Sequence, residues 1–263
     1  MAPRTAQRLD EAVAERTGVT RSRARSLIIA GRVRVDGRPA TKPGTPVAAS
    51  AVLAVERPRP FVSRGGEKLE AALAAFDLAV TGARALDVGA STGGFTDCLL
   101  QRGAAHVTAL DVGYGQIALT LRDDPRVTVV ERTNFRLLPA GALGAPFDLI
   151  AIDASFISVV TILDRARDFL AADGTIVALV KPQFEAGTQR LGSGGVVRDE
   201  AVHRAILHEV RAAIGGLGLV PLRVSASPLR GPSGNVEFFM LVRRTGTPFD
   251  DAALERALAG VPA

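Results

Sequence analysis

Apolar residues recur with a helical period at the start of the 263-residue chain and in strand-like runs further along. Within residues 8–30 they fall three or four positions apart, which predicts two short amphipathic helices. The apolar faces of these helices would be formed by Leu9, Val13, Ala24, Leu27 and Ile28. Thr20 is the expected N-cap of the second helix, and Gly31 is expected to end it. An Asp-Gly turn at residues 36–37, with valines before it, predicts a hairpin, so the pattern indicates a small α+β unit.

Beyond residue 80 the pattern changes to continuous apolar runs separated by stretches with helical periodicity. The runs occupy residues 83–88, 107–111, 127–130, 147–152, 175–180 and 235–241. Such runs are typical of strands buried on both faces of a sheet, and their alternation with helices predicts an α/β fold. Residues 57–62 contain two prolines that favour an extended path, so we expect a linker there. The expected domains are residues 1–56 and 63–263.

The excess positive charge of the chain lies at its beginning. Residues 1–60 contain twelve Lys or Arg and five Asp or Glu, whereas residues 61–263 contain twenty and twenty-two. A compact basic module beside a nearly neutral domain predicts a polyanionic partner. An anionic membrane surface would attract the same charge.

The cysteine count and the hydropathy indicate the compartment. Cys98 is the one cysteine, so no intramolecular disulfide can form, which suits a reducing compartment. No apolar run reaches the roughly 18–20 residues of a membrane-spanning helix, and the first residues lack the apolar core of a secretion signal. We therefore expect a cytoplasmic protein with no membrane partner. The sequence leaves the oligomeric state open, and a monomer is our expectation.

A glycine-rich turn follows the first of the long apolar runs. Residues 87–96 read Asp-Val-Gly-Ala-Ser-Thr-Gly-Gly-Phe-Thr and lead from a predicted strand into a predicted helix. Glycines let a ligand approach the backbone, and the first N–H groups of the helix face it, as in Rossmann-like nucleotide sites. The spacing differs from G-x-G-x-x-G, which disfavours a dehydrogenase. The turn resembles motif I of S-adenosylmethionine (SAM) methyltransferases; an ordinary strand-to-helix turn is the alternative.

Residues after the next strands extend this prediction. Asp111 lies about 20 residues beyond the turn, where such folds place a carboxylate against ribose hydroxyls; a loop or cap role is the alternative. Asn134 is a candidate for the adenine edge, and Phe95 is a candidate for the methionine part of SAM or for the core. The expected cofactor contacts are Gly89, Ser91, Gly93, Gly94, Phe95, Asp111, Asn134 and Asp153.

Four charged residues stand at positions suited to catalysis. Asp153 and Lys181 end apolar runs, and Glu237 lies within one. Lys68 lies near the start of a predicted helix. Charges at strand ends lie at the ligand edge of an open α/β sheet, whereas unpaired charges within strands are costly. Surface ion pairs are the alternative for each residue alone. The order Lys-Asp-Lys-Glu resembles the catalytic tetrad of the FtsJ-like 2′-O-methyltransferases.

The chemistry of a ribose 2′-hydroxyl fits this set of residues. A hydroxyl is a poor nucleophile until its proton is removed, and a lysine is a suitable base where burial and a second lysine favour the neutral amine. Lys181 is the expected base, and Lys68 would tune it and hold the 2′ oxygen. Asp153 would orient Lys181 near the methyl donor, and Glu237 would fix Lys68 or Lys181. No metal is expected, because the three histidines share no ligand spacing with acids or Cys98.

The basic first part resembles the S4 RNA-binding domain. The matching residues are Arg-Leu-Asp at 8–10, the stretch 22–37 and Lys-Pro at 42–43. The resemblance places four cations where that family touches RNA: Arg8, Arg21, Arg23 and Lys42. Such cations contact phosphates and read little sequence, and a solvated helix face is the alternative for each one alone. This part has no aromatic residue, which argues against base stacking.

Taken together, both parts resemble the TlyA family of rRNA ribose methyltransferases nearly end to end. Further matching blocks are residues 63–66, 111–116, 181–185, 227–228 and 231–235. A departure is Phe61, where the family has a tryptophan. The resemblance implies SAM-dependent 2′-O-methylation of a ribose, expected to be that of a cytidine, with ribosomal RNA or ribosomal subunits as partners.

Other functions fit the residues less well. Methylation of an exocyclic amine goes with an Asp/Asn-Pro-Pro-aromatic run, and residues 153–156 lack the prolines. Carbon-5 methylation of pyrimidines needs a cysteine nucleophile, whereas Cys98 is expected to be a small buried residue. A non-enzymatic ribosome assembly factor is a second class. A membrane-active haemolysin, a label that relatives carry, is a third, although no long amphipathic basic helix favours it.

Overall fold

The computed structural model describes residues 6–56, 60–144, 146–187 and 190–262. The chain forms two compact units, Met1–Arg59 and Pro60–Ala263. Residues 57–59 of the expected linker lie outside the described residues. Residues 60–62, also expected in the linker, belong to the second unit. There the Phe61 ring is buried and lies so close to Gly66 that a side chain at position 66 would have no room.

The N-terminal unit packs two helices against short strands. Helices α1 and α2 span Leu9–Thr17 and Arg21–Ile29. Strands β1 to β5 span Gln7–Arg8, Val33–Val35, Arg38–Pro39, Pro46–Val47 and Leu53–Val55. Strand β1 pairs with β4, and β2 lies between β3 and β5, all antiparallel. The core contains the five apolar residues expected on the helix faces.

Capping and turn residues set the ends of these elements. Thr20 Oγ1 accepts a hydrogen bond from Arg23 N at 3.3 Å and so caps α2. Asp36 and Gly37 have φ angles of 50° and 78°, the left-handed conformation that a two-residue hairpin turn between β2 and β3 requires.

The second unit is a three-layer α/β domain. Its described strands are β6 (Arg84–Val88), β7 (His106–Leu110), β8 (Val127–Val130), β9 (Phe147–Ile152), β10 (Leu170–Val180), β11 (Val220–Ala226) and β12 (Phe238–Arg243). Its described α-helices are α3 (Arg64–Ala75), α4 (Gly94–Gln101), α5 (Leu119–Arg122), α6 (Val159–Ala166), α7 (Pro182–Glu185), α8 (Glu200–Gly216) and α9 (Asp251–Ala259). The sheet order is β11-β12-β10-β9-β6-β7-β8, in which β12 is antiparallel to both neighbours and the other pairs are parallel.

An apolar core lies on each face of this sheet. Helices α3 and α4 cover one face, with Leu69, Leu73 and Leu99 among the buried residues. Helices α6, α8 and α9 cover the other face, with Leu163 and Ile206 among them. Because the central strands are covered on both faces, most of their side chains are apolar, which gives the continuous pattern seen in the sequence. The predicted α/β fold is confirmed.

A few details differ from the prediction. Glu237, expected within a strand, lies one residue before β12, where its backbone oxygen accepts a hydrogen bond from Ser227 N at 2.8 Å. Strand β10 begins earlier than predicted, because Leu170 pairs with Phe147 before a break in register. The glycine-rich composition of residues 187–195 predicts either a mobile loop over substrate or a passive connector. Residues 188 and 189 of this segment lie outside the described residues. None of the described helices has the length and apolar character needed to cross a bilayer.

Candidate active site

One edge of the seven-stranded sheet collects the charged residues expected to act in catalysis. The carboxyl ends of β6, β7, β9 and β10 lie side by side, because these strands are parallel neighbours. Asp153 and Lys181 directly follow β9 and β10. Strand β12 runs the opposite way with Phe238 paired to Val180, so Glu237 reaches the same edge from the other direction. Open α/β sheets bind their ligands at this edge.

Lys68 and Glu237 form a buried ion pair at this edge. Lys68 lies on α3, and its Nζ is 2.5 Å from Oε2 of Glu237. The two residues are 7% and 2% exposed. Since a buried charge is tolerated only with a partner, each residue holds the other in place.

Lys181 is held by two groups on the segment after β9. Its Nζ lies 2.6 Å from Asp153 Oδ1 and donates a hydrogen bond to Ser155 Oγ at 2.7 Å. The residue is 8% exposed, and Nζ lies 5.9 Å from the centre of the Phe184 ring. The ion pair and the hydrogen bond together hold Nζ beside the segment that follows β9.

The two ion pairs form one electrostatic cluster. Burial raises the pKa of the Glu237 carboxyl, while Lys68 and then Lys181 oppose the rise and Asp153 adds to it. Charges influence one another in this way when they are close together and poorly hydrated. The structure therefore brings the four residues of the expected tetrad together, and their individual roles stay predictions.

A cavity of about 500 Å³ opens beside the cluster. Asp153 and Ser155 form part of its wall, so the cavity reaches the groups that hold Lys181. Five of the expected cofactor contacts line it: Gly89, Ser91, Asp111, Asn134 and Asp153. The cavity lies at the carboxyl ends of β6, β7 and β9, beside the glycine-rich turn.

Gly89 allows two strand ends to meet at the cavity. Its φ angle is +87°, and a Cβ atom at this position would lie 2.7 Å from the backbone oxygen of Asp153. Any side chain would therefore push the end of β9 away and displace Asp153. Glycine at position 89 is required for the geometry of both the turn and the Lys181 pair.

Asp111 is tied to the glycine-rich turn. One carboxylate oxygen accepts a hydrogen bond from Ser91 N at 2.8 Å, and the other accepts one from Gly113 N at 2.6 Å. A carboxylate has about four acceptor sites, so these two bonds fix its orientation and leave capacity for the hydroxyls of a ligand. Asn134 also accepts a backbone hydrogen bond, from Arg136 N at 3.1 Å, and caps a 3₁₀ turn.

Three expected cofactor contacts do not line the cavity. A side chain at Gly93 would collide with Leu121, and one at Gly94 would collide with the Ser63 hydroxyl at the start of α3. Phe95 is 3% exposed, and the centre of its ring lies 6.1 Å from that of Phe239 in the core. Their neighbours are Leu121 on α5, Ser63 at the start of α3 and Phe239 on β12, so each of the three positions has a protein neighbour at close range.

Asp87, the acid before the glycine-rich turn, is fully buried. Its Oδ2 accepts hydrogen bonds from Thr96 N at 2.9 Å and Thr96 Oγ1 at 2.7 Å. Burial raises the pKa of Asp87 to about 7, although the hydrogen bonds from Thr96 oppose the rise. Its Oδ1 has no hydrogen-bond partner among the described residues.

The sequence analysis did not assign roles to several residues at the site. Ser155 contacts Lys181, and Arg136 lines the cavity. Phe156 is 90% exposed with φ +63°, and its ring centre lies 5.1 Å from that of Phe184. Glu185 accepts hydrogen bonds from Ser158 Oγ and Val159 N, both at 2.7 Å, and thereby joins α7 to the start of α6. The available signal was proximity in sequence, since Ser155 and Phe156 follow Asp153, Glu185 follows Lys181 and Arg136 follows Asn134.

The four cations expected to touch RNA lie on the surface of the N-terminal unit. Arg8 and Arg21 both contact the carboxylate of Asp10, and Arg21 also contacts Glu11. Arg23 and Lys42 are exposed. Among the described residues, no group of three or more His, Cys, Asp or Glu side chains is placed to hold a metal ion.

Comparison with known proteins places both units in established families. The FtsJ-like methyltransferase family matches residues 61–244, and the S4 domain matches residues 7–53. The fold and site thus define a methyltransferase domain joined to an S4 domain.

Individual relatives narrow this assignment. The chain is 53% identical over 233 residues to the 16S/23S rRNA (cytidine-2′-O)-methyltransferase TlyA of Mycobacterium tuberculosis, with 87% of each chain covered. It is 38% identical to Hemolysin A of Brachyspira hyodysenteriae, over 88% of this chain and 97% of that one. The solved structure of a hemolysin-named protein from Streptococcus thermophilus superposes with a TM-score of 0.74 and is 37% identical in sequence. The match covers 97% of this chain and 95% of that one. The chain belongs to the TlyA family of FtsJ-like methyltransferases.

Proposed function

We propose that this protein transfers the methyl group of SAM to the 2′-hydroxyl of a ribose, that of a cytidine, in ribosomal RNA. The observation that carries the proposal is the buried cluster of two lysines and two carboxylates beside the cavity. The name of the Mycobacterium tuberculosis relative, 53% identical, describes this reaction on 16S and 23S rRNA. Ribosomes occupy the cytoplasm, where we expect the protein to act as a monomer.

The residues of the cavity fit SAM. A volume of about 500 Å³ is within the usual range for small-molecule sites. Asp111 would accept hydrogen bonds from the ribose hydroxyls, and Asn134 would face the adenine edge. Bound there, SAM supplies a methyl group on a positively charged sulfur.

Lys181 is the residue we assign as general base. Asp153 and Ser155 hold its Nζ at 2.6 and 2.7 Å. The remaining direction of the nitrogen would face the 2′-hydroxyl and, in the neutral amine, accept its proton. Because Asp153 also lines the cavity, the same carboxylate that orients the base lies next to the methyl donor.

Lys68 and Glu237 would position the substrate from the opposite side. Lys68 would donate a hydrogen bond to the 2′ oxygen and stabilise negative charge as the proton leaves. Glu237 would hold Lys68 in place, 2.5 Å from Nζ. Methyl transfer needs the oxygen, the methyl carbon and the sulfur in line, so fixed positions on both sides of the oxygen would lower the barrier.

The N-terminal unit would supply affinity for the RNA. Its cations would contact phosphates, which gives binding strength and position but little sequence choice. The folded shape of ribosomal RNA would therefore select the target.

Incubation with tritiated SAM and separated, unmethylated 30S and 50S subunits tests the proposal. We expect label in 2′-O-methyl nucleotides of at least one subunit. Lys181→Ala should lower the rate by about 10²–10⁴-fold, the usual contribution of a general base, while SAM binding stays near normal. Turnover retained in Lys181→Ala would remove Lys181 as the base. SAM binding without label on subunits or free rRNA would instead support a non-enzymatic assembly factor.

A further inference from the structure

Asp10 is a fully buried carboxylate at the start of α1 that contacts two surface arginines. Arg8 donates to it twice, from Nε to Oδ1 and from Nη2 to Oδ2, both at 3.1 Å. Arg21 donates from Nε to Oδ2 at 3.2 Å. One carboxylate therefore joins β1 and α2 through the guanidinium groups of their arginines.

The carboxylate is ionised in the folded protein. The hydrogen bond from Arg8 and, less strongly, that from Arg21 hold the pKa of Asp10 below its usual range, although burial works in the other direction. An ionised acceptor makes charge-assisted hydrogen bonds, which are stronger and better oriented than neutral ones. Both guanidinium groups are thus held in fixed positions before any ligand arrives.

The outer faces of the two guanidinium groups are open to solvent. The side chains of Arg8 and Arg21 are 49% and 51% exposed, whereas that of Asp10 is 0% exposed. Arg8 also lies over Gly44, at which an added Cβ would be only 3.1 Å from Nη1. Gly44 belongs to the turn that carries Lys42, so this turn lies beside the same pair of arginines.

We infer that Asp10 is a positioning residue that holds Arg8 and Arg21 together as one binding site for a single phosphate group of the RNA backbone. The inference rests on the proposed function. Guanidinium groups bind phosphate through N–H donors. Asp10 takes Nε and Nη2 of Arg8 and Nε of Arg21, and Glu11 lies 2.9 Å from Nη1 of Arg21, so Arg8 Nη1 and Arg21 Nη2 are the donors that would face the phosphate. Arg23 lies two positions from Arg21 on α2 and therefore faces another direction, so it is outside this site.

Removal of the negative charge of Asp10 distinguishes positioning of the arginines from an effect of net charge on RNA binding. Asp10→Asn makes the unit more positive, so charge alone predicts tighter binding to RNA. Loss of positioning predicts weaker binding. Glu11→Gln is the matched control, because Glu11 also pairs with Arg21, at 2.9 Å, but is 38% exposed and does not contact Arg8 in the described structure.

Filter binding of the full-length protein to labelled 16S and 23S rRNA transcripts at several salt concentrations would test the inference. We expect Asp10→Asn to weaken binding by about five- to tenfold and to reduce the slope of log affinity against log salt by about one, as for one lost phosphate contact. Glu11→Gln should bind as tightly as the unaltered protein or up to about threefold more tightly. The inference would be overturned if the Asp10→Asn and Glu11→Gln variants had the same affinity for RNA and the same salt dependence.

A second variant covers the case in which Asp10→Asn disturbs the fold, which thermal unfolding would reveal. Arg8→Lys keeps the charge and Asp10 but lacks the planar fork, so it should weaken RNA binding about threefold or more. Arg25→Lys, on the exposed surface of α2, should change nothing. Unchanged binding by Arg8→Lys would reject the paired site. Failure of the unaltered protein to bind either transcript would count against the proposed function itself.

Discussion

The two units of this protein differ in the exposure of the cations to which we assign a function. In the methyltransferase unit Lys68, Lys181 and Glu237 are at most 8% exposed, and each is paired at 2.5–2.6 Å. In the S4 unit the side chains of Arg8 and Arg21 are about half exposed. Burial holds charged atoms at fixed distances and excludes water, which suits a reaction at one atom. Exposure leaves donors free, which suits attachment to a polyanion.

Two fully buried aspartates make the contrast sharper. Asp10 has arginine partners, and hydrogen bonds from them lower its pKa. Asp87 has the neutral donors of Thr96, and burial raises its pKa to about 7. The two side chains therefore ionise differently: two arginine partners favour the charged form of Asp10, whereas burial, to which Asp153 and Asp111 add, favours the neutral form of Asp87.

The largest effect is expected from leaving a buried charge without its partner. Lys68→Ala leaves Glu237 unpaired, so the free energy of unfolding should fall by about 3–5 kcal/mol. The loss should be greater at pH 8 than at pH 6, because protonation relieves an unpaired carboxylate. The double variant Lys68→Ala, Glu237→Gln should recover most of the stability but not methyl transfer. Urea unfolding and the tritium assay would measure both.

A matched control for that experiment is Arg21→Ala, which removes a half-exposed cation from the other unit. Its effect on the free energy of unfolding should be smaller, because Asp10 retains Arg8. If Lys68→Ala were as stable as the unaltered protein at both pH values, the contrast between buried and exposed charges would fail.

An intermediate effect is expected from Asp87 and depends on pH. Its pKa of about 7 in the folded protein lies above the usual 3.8, so the folded state binds the proton more tightly than the unfolded state. The resulting stability is complete below pH 3.8 and is lost as pH rises through about 7. The Asp87→Asn variant does not undergo this loss. The difference between its free energy of unfolding and that of the unaltered protein should therefore shift in favour of the variant from pH 5 to pH 8. Urea unfolding at four pH values would measure the difference.

Asp173→Asn serves as the control for removal of a carboxylate, because Asp173 is exposed. If the free energies of unfolding of Asp87→Asn and the unaltered protein differed by the same amount at every pH in this range, Asp87 would be ionised throughout it, as Asp10 is expected to be.

The smallest effect is expected at Asp111 and should be confined to the cofactor. Asp111→Ala removes a charged acceptor for the ribose hydroxyls, which should raise the Kd for SAM by about tenfold or more. Affinity for ribosomal RNA should not change. Isothermal titration calorimetry would measure the Kd for SAM, and filter binding would measure the affinity for ribosomal RNA, with Asp173→Ala as the control for both. Unchanged SAM affinity would reject the ribose assignment.

Much of the fold could be predicted because the central strands are buried on both faces. Continuous apolar runs marked β6 to β9 to within about a residue, and turn residues marked the ends of α2. The tetrad could be predicted because charged residues at strand ends lie at the ligand edge of an open α/β sheet, and because their order resembled that of a known family. The fold is confirmed, whereas the roles of the tetrad stay predictions.

Packing contacts could not be predicted in the same way. Gly93 and Gly94 belong to a motif that was expected to face the ligand, yet the collisions a side chain would cause there involve Leu121 and Ser63. Phe95 was open to either interpretation and lies in the core. A glycine in a sequence shows that space is short, but not whether a ligand or another helix occupies that space.

The sequence by itself determined the order and type of most elements, the separate charge of the two parts and the residues available for chemistry, because these depend on local composition and period. Tertiary structure decided which of those residues meet. It placed Ser155 on Lys181, Asp10 behind two arginines and Asp87 among neutral donors, because contacts between distant segments follow from strand order, burial and packing rather than from neighbours in the chain.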